Sequence, residues 1–375
     1  MNRKLLPSLI ALLTVGAAGI VNADDHMPTV YGKINVTLNN YKFDSIASST
    51  ESYTSLDDWK LESNASRLGV KGDYPISDDL SAIYKLEYEV YPDGSSSNTF
   101  GQRNIYGGLQ GSWGTLFTGK NDTPLKAIAA DTVQVFKDLP LGDFKYVMVG
   151  ENRQPNIIQY ATPNMSGFIF SLQVAPGEDS GSKGADGTTS TSNTSHGLFD
   201  RFSAAVTYKT DGIYLGLAGD KNQSNTNTIR AVGQFDIGPV KLGALVQQAE
   251  RDNKTIGGSD AYIQSASSLP GDITNSIKQF ATTYKKQDAY ALTAAWNIDD
   301  WTLKGQYAQS TSKDGSTLKL SDTKAKNYAL GVDYKLNKNA KVFAYYAAID
   351  TDGDSAVYDG KLKDKTVAVG WEFKF

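Results

Sequence analysis

The sequence predicts an all-β chain: a 16-stranded antiparallel up-and-down transmembrane β-barrel with one long constriction loop folded into the lumen. Three observations carry that prediction. Apolar and polar side chains alternate with a period of two through about sixteen short segments, the pattern of strands whose two faces meet unlike surroundings. Short turns and long polar connections alternate between those segments, so one rim of the sheet carries turns and the other loops. Charged residues fall on one face of the strands and Leu, Val, Phe and Tyr on the other. With no helices to cover the apolar side of sixteen strands, only lipid is left for it, and in lipid every backbone group must be paired, which requires closure.

The chain opens with Asn2-Arg3-Lys4, a mostly apolar run from Leu5 to Val21, and Val21-Asn22-Ala23. That three-part pattern reads as a signal peptide over 1–23, leaving a barrel over 24–375. Of 37 basic and 41 acidic residues, removal takes Arg3 and Lys4, so the mature balance is 35 − 41 = −6. That argues against nucleic acid, which wants a basic face. The chain has no cysteine, so an exported protein of this size must be held by a large core or a closed sheet. After residue 23 no stretch approaches the ~20 apolar residues of a membrane helix.

In order, Val30, Gly32, Ile34, Val36 and Leu38 oppose Tyr31, Lys33, Asn35, Thr37 and Asn39 on a first strand. A second places Arg67, Gly69, Lys71 and Asp73 against Leu68, Val70 and Tyr74, and a third places Lys85, Glu87 and Glu89 against Tyr84, Leu86, Tyr88 and Val90. The pattern returns at 100–110, 113–120, 154–162, 166–175, 199–209, 212–220, 228–236, 239–249, 287–298, 301–310, 325–336, 340–349 and 362–375. Tight turns such as Thr210-Asp211-Gly212, Gly238-Pro239 and Asp299-Asp300 alternate with polar connections at 41–58, 91–99, 121–153, 176–198, 221–227, 250–286, 311–324 and 350–361. Aromatics gather near strand ends (Tyr74, Tyr88, Tyr208, Phe235, Trp296, Trp301, Tyr334), as an interfacial girdle would. The last strand carries Val367, Val369, Trp371, Phe373 and Phe375 on one face and must seal against the first.

The connection 121–153 differs from the others. Thr123-Pro124 reads as a helix start, with proline at the first helical position. Leu125, Ile128, Ala129, Val133 and Phe136 follow at helical spacing for about three turns, and Pro140 and Gly142 stop them. An insert with an apolar face and with Asp131, Asp138, Asp143 and Glu151 reads as a loop folded back into the barrel, narrowing the bore with carboxylates.

Several segments together resemble the Gram-negative general-diffusion porins. They are Val30-Tyr31-Gly32-Lys33, Ser66-Arg67-Leu68-Gly69-Val70-Lys71-Gly72, Arg103-Asn104-Ile105-Tyr106-Gly107-Gly108-Leu109, Trp113 to Lys120, Thr123-Pro124-Leu125, Asn156-Ile157-Ile158-Gln159-Tyr160 and the terminal Phe375. The resemblance implies an outer-membrane homotrimer, each barrel with its own pore, set among outer-membrane lipid and lipopolysaccharide and passing small polar solutes and ions. It implies a constriction where the insert faces a basic row: Arg67, Arg103 and Arg153, with Lys71 and Lys33 as neighbours. Asp138 and Asp143, flanking Leu139-Pro140-Leu141-Gly142, are the first acidic candidates, then Asp131 and Glu151. Lys120 stands where family members usually carry arginine, and the parity of Arg103 is ambiguous, since Ile105 and Leu109 share its face. Opposed rows of fixed charge would set a transverse field that admits small polar solutes.

No cofactor and no metal site is expected. Gly114-Thr-Leu-Phe-Thr-Gly119-Lys120 approaches a phosphate-binding loop but lacks the Ser/Thr and the strand-loop-helix context. Asp350-Thr-Asp352-Gly-Asp354 lacks the glycine position and closing glutamate of a calcium loop. The only histidines are His26 and His196, leaving an outer-membrane hydrolase little to work with. A sugar- or anion-selective channel of the same architecture is the nearer rival. The charge of −6 hints at mild cation preference, although it includes loops far from the constriction.

Overall fold

The computed structural model describes residues 27–47, 52–176, 198–224, 226–251, 284–314, 322–354 and 359–375. The signal peptide over 1–23, His26, His196 and most of the connections at 176–198 and 250–286 lie outside the described residues.

All strands belong to one antiparallel sheet that closes on itself. They are β1 (Thr29–Ala47), β2 in two segments (Ser52–Ser63 and Arg67–Ser77), β3 (Leu80–Glu89), β4 (Gly101–Gly111), β5 (Gly114–Asp122), β6 (Arg153–Ala161), β7 (Phe168–Ala175) and β8 (Arg201–Thr210). Then come β9 (Ile213–Gln223), β10 (Thr226–Ile237), β11 (Val240–Arg251), β12 (Tyr284–Ile298), β13 (Trp301–Asp314), β14 (Thr323–Lys335), β15 (Ala340–Asp354) and β16 (Asp359–Lys374). Both segments of β2 pair with β1, Val36 opposite Ser63 and Lys33 opposite Arg67. They are one strand interrupted at Ala65, whose φ of 50° marks the extra residue of a bulge, so sixteen strands make the barrel.

The seam is β1 against β16, in register from Lys33 opposite Lys374 to Ala47 opposite Gly360. It is finished by Gly32 N donating to Phe375 O at 2.9 Å and Phe375 N donating to Gly32 O at 3.1 Å. The aromatic carboxy-terminus thus seals the sheet, leaving no edge.

The outward face is apolar and exposed: Leu38, Leu68, Leu86, Leu215, Leu217, Leu292, Leu330, Val367 and Val369 all stand open, as lipid-facing side chains would. Tyr74, Phe235, Trp296 and Trp301 of the girdle are exposed as well. The opposite face is inward, because the connection 123–152 touches that face of β1 and β8 to β16 at once.

Two expectations change. The connections at 41–58, 221–227 and 350–361 are shorter, because strands run on to Ala47, Gln223 and Asp354 and resume at Ser52, Thr226 and Asp359. Beyond the lipid no apolar face is required, so the two-residue pattern fades while the backbone ladder continues, to Ala47 opposite Ser52 and Asp354 opposite Asp359. The insert helix is also shorter, a single α1 (Pro124–Ala130) capped by Thr123, whose side chain accepts from Lys126 N. It ends where the Thr132 hydroxyl donates to Ile128 O at 2.8 Å, a side-chain bond that competes with helix continuation. All five apolar residues of the expected stripe are nonetheless buried.

Candidate pore constriction

The inner wall is divided. Over β9 to β16 many inward positions against the insert are small: Ala218, Ala289, Ala291, Ala308, Ala329, Ala347 and Ala368 pack in one cluster with Leu125, Ile128, Val133, Phe136, Leu141 and Phe144 of the insert. Glycines complete the seat. A Cβ at Gly216, Gly243 or Gly331 would stand 3.1 Å from Ile128, 3.0 Å from Val133 or 2.8 Å from Phe136, so no larger side chain fits without displacing the insert. Polar bonds fix its course: Gln306 donates to Gly142 O at 2.7 Å, Asn327 to Leu141 O at 2.5 Å, and Tyr345 to Pro140 O at 3.2 Å.

Over β1 to β6 the inward positions are charged, and the insert's tip reaches them. The Asp138 carboxylate accepts from Lys33 Nζ at 2.9 Å and lies 3.7 Å from Arg67 Nη2. Asp138 adopts φ 68°, a left-handed conformation that Asp tolerates better than most residues. Asp143 holds the turn, accepting from Asp138 N at 2.8 Å and Lys145 N at 2.9 Å. Burial opposes ionisation of Asp138, but Lys33, Arg67 and Arg103 together outweigh it and hold its carboxyl well below the usual carboxylate range. Asp143 goes the other way, since burial pushes its carboxyl up.

The ambiguity of Arg103 has a structural answer. Leu86 pairs with Ile105 but Tyr88 pairs with Gln102, a register shift that places one extra residue on β4. The bulge turns Arg103 onto the inward side, where it meets Glu87 at 2.9 Å and Glu89 at 3.3 Å. Tyr31 also donates to Glu87 at 2.9 Å, and Lys85 lies 3.4 Å from it.

The other expected residues distribute as follows. Arg153 does not reach Asp138 directly; it pairs with Asp122 at 2.9 Å, beside Lys126 at 3.1 Å. Lys71 is exposed on the same wall, its ammonium 5.6 Å from the Tyr31 ring centre. Lys120 stands opposite Ile105 in register, beyond a kink at Gly119 with φ 140°. Asp131 is open, its side chain 88% exposed, and meets Lys137 at 2.7 Å. Glu151 is engaged elsewhere: it accepts from Arg230 Nη1 at 2.7 Å. Arg230 is wholly buried and also donates to Gln247 Oε1 at 2.8 Å and Val149 O at 3.0 Å.

Sequence reasoning put Glu87 and Glu89 on the charged face without pairing them with Arg103, and it missed Asp122, Lys126 and Arg230 as partners of the expected residues. It also missed the seat of small residues, although the alternation of Ala and Gly along β9 to β16 was visible as a signal.

A family model described as Gram-negative porin matches residues 8–354. The chain belongs to the Gram-negative porin family. This porin is 24% identical to outer membrane porin N of Escherichia coli over 99% of its own length and 98% of that protein. It is 22% identical to the major outer membrane protein P.IB of Neisseria lactamica over the full length of both. Among solved structures, the anion-selective porin from Comamonas acidovorans superposes with a TM-score of 0.64 at 19% identity, covering 94% of this chain and all of that one. OmpT of Vibrio cholerae in its trimer form gives 0.61 at 15% identity, covering 94% and 100%. The porin is accordingly an outer-membrane channel for passive diffusion of small hydrophilic solutes, not an enzyme.

Proposed function

We propose that residues 123–152 form the constriction of this porin, and that solutes pass between the insert and the charged wall of β1 to β6. The observation carrying this is the contact of Asp138 with Lys33 and Arg67, which ties the insert's tip to the wall opposite its seat. Asp131, open on the insert, and Lys71, open on the wall, face the passage; Asp143 and Glu151 serve it by holding the insert. Residues 1–23 are removed on export, and the mature chain forms a homotrimer in outer-membrane lipid and lipopolysaccharide, with trimeric OmpT as the fold neighbour supporting that assembly.

Local charge, not the total of −6, sets selectivity. Along the passage stand Lys33, Arg67, Lys71, Lys85, Arg103, Lys126, Lys137 and Arg153 against Glu87, Glu89, Asp122, Asp131, Asp138 and Glu372, so eight less six gives +2. The passage therefore favours anions mildly. Zero-current potentials across planar bilayers in a potassium chloride gradient test this. The expected sign is anionic, moving toward cations in Arg67→Ala; a cationic potential in the wild type, unchanged by Arg67→Ala, would remove the basic wall from the passage.

A further inference from the structure

A second polar cluster lies at the root of the insert, away from the basic wall. Ser203, Asp220 and Thr228 share one rung across β8, β9 and β10. Beyond Asp220 the register slips, with Asn222 at φ 52°. That bulge brings Gln223 inward beside Asp220, although the two are three residues apart. Ser203 and Gln223 have no exposed surface, Thr228 has 1% and Asp220 5%. Asn152, the last residue of the insert, closes over them: it is buried, faces Asp220 and accepts from Ser224 Oγ at 2.9 Å.

Yet the cluster is left unsatisfied. Among the described residues, neither amide atom of Gln223 nor the Thr228 hydroxyl has a hydrogen-bond partner, and the Asp220 carboxylate, with Ser203 and Asn152 beside it, makes no hydrogen bond of ordinary geometry. Buried polar groups are ordinarily paired, and a buried carboxylate without a partner is the costliest to leave so. Arg230 does not answer it, because its guanidinium is committed to Glu151, Gln247, Val149 O and Leu125 O. With Glu151 and Arg230 cancelling, one negative charge remains.

We propose that this cluster is a binding site for a hard cation of the Ca2+ type, which ties the root of the insert to the barrel wall. The donors are all oxygens: two from Asp220 and one each from Gln223, Thr228 and Ser203. Five hard oxygen donors, with water completing the shell, suit Ca2+, and no sulfur or imidazole ligand is present to favour a softer metal. Among the described residues no group of three or more His, Cys, Asp or Glu is assembled, so the site depends on one carboxylate and neutral oxygens. The ion would join three strands that hold both ends of the insert, since Ser203 Oγ accepts from Leu125 N at 3.1 Å and Asn152, where the chain enters β6, packs on Asp220.

The test uses protein refolded without lipopolysaccharide, which would bring its own Ca2+. Equilibrium dialysis with radioactive Ca2+ and thermal unfolding with Ca2+ or chelator are compared for wild type, Asp220→Asn and Thr228→Val. Expected are one bound Ca2+ fewer per chain in Asp220→Asn, roughly tenfold weaker binding in Thr228→Val, and a Ca2+-dependent rise in unfolding temperature that Asp220→Asn loses. Should Asp220→Asn not fold, the Thr228→Val affinity decides alone. Equal stoichiometry and equal response in all three would overturn the proposal, leaving a protonated carboxyl or a buried water in the cluster.

Discussion

Lys33 on β1 donates to Asp138 at the tip of the insert at 2.9 Å, with side-chain exposures of 6% and 15%. Glu372 is a second, looser partner of Lys33 at 3.7 Å, and Arg67 a second partner of Asp138. The tip is therefore held by a charge pair that water reaches poorly. Removing Asp138 leaves Lys33 only the looser Glu372, which costs about 1–3 kcal/mol, less than a wholly uncompensated buried charge. Asp138→Ala is expected to loosen the tip, raise single-channel conductance and shift the zero-current potential toward anions. Bilayer recording of the variant beside wild type checks it; identical conductance and potential would show that the tip does not bound the passage.

The pH response follows from the direction of the Asp138 shift. Its folded carboxyl lies well below the usual range, so its stabilising contribution is complete above the unfolded value of about 3.9 and is lost only as pH falls through the folded one. Asp143 is raised by burial; its ionisation disfavours the folded state, and that penalty is released as pH falls. Neither group loosens the insert on mild acidification. Conductance titrated from about pH 8 to pH 5 should show no step dependent on Asp138; a step that disappears in Asp138→Asn would contradict this.

Arg230 is the other anchor. It is wholly buried and serves Glu151, Gln247 and two backbone carbonyls of the insert. Arg230→Met removes the cation and leaves Glu151 without it, which should cost about 3–5 kcal/mol. The unfolding temperature of the folded barrel should fall, and open-channel noise should rise as the root of the insert moves. Unchanged noise with a lowered unfolding temperature would confine Arg230 to the wall.

What the sequence made legible was what alternation and spacing encode. All sixteen strands follow from two-residue periodicity, and the seam from the aromatic stripe ending at Phe375. The strand extensions around Ala47 and Ser52 carry no such signal, since above the lipid both faces are polar. Arg103 could not be oriented because a one-residue bulge inverts parity downstream, and the bulge is decided by pairing with Tyr88 and Leu86. Among the carboxylates of the insert, Asp138 and Glu151 look alike until their partners are known, and those lie 105 and 79 residues away along the chain. The insert's helix was overextended because its apolar spacing also suits a chain packed irregularly against alanines.

Two neighbouring strand positions distinguish the inside of the tube from the outside. The chain has no cysteine, so Lys71→Cys and Leu68→Cys each carry a single thiol, one on the charged face and one exposed on the apolar face. A charged, membrane-impermeant thiol reagent is added while single channels are recorded in a planar bilayer. Expected are irreversible drops in the conductance of Lys71→Cys and no change in Leu68→Cys. Block of Leu68→Cys with Lys71→Cys untouched would place the water on the wrong side of the sheet.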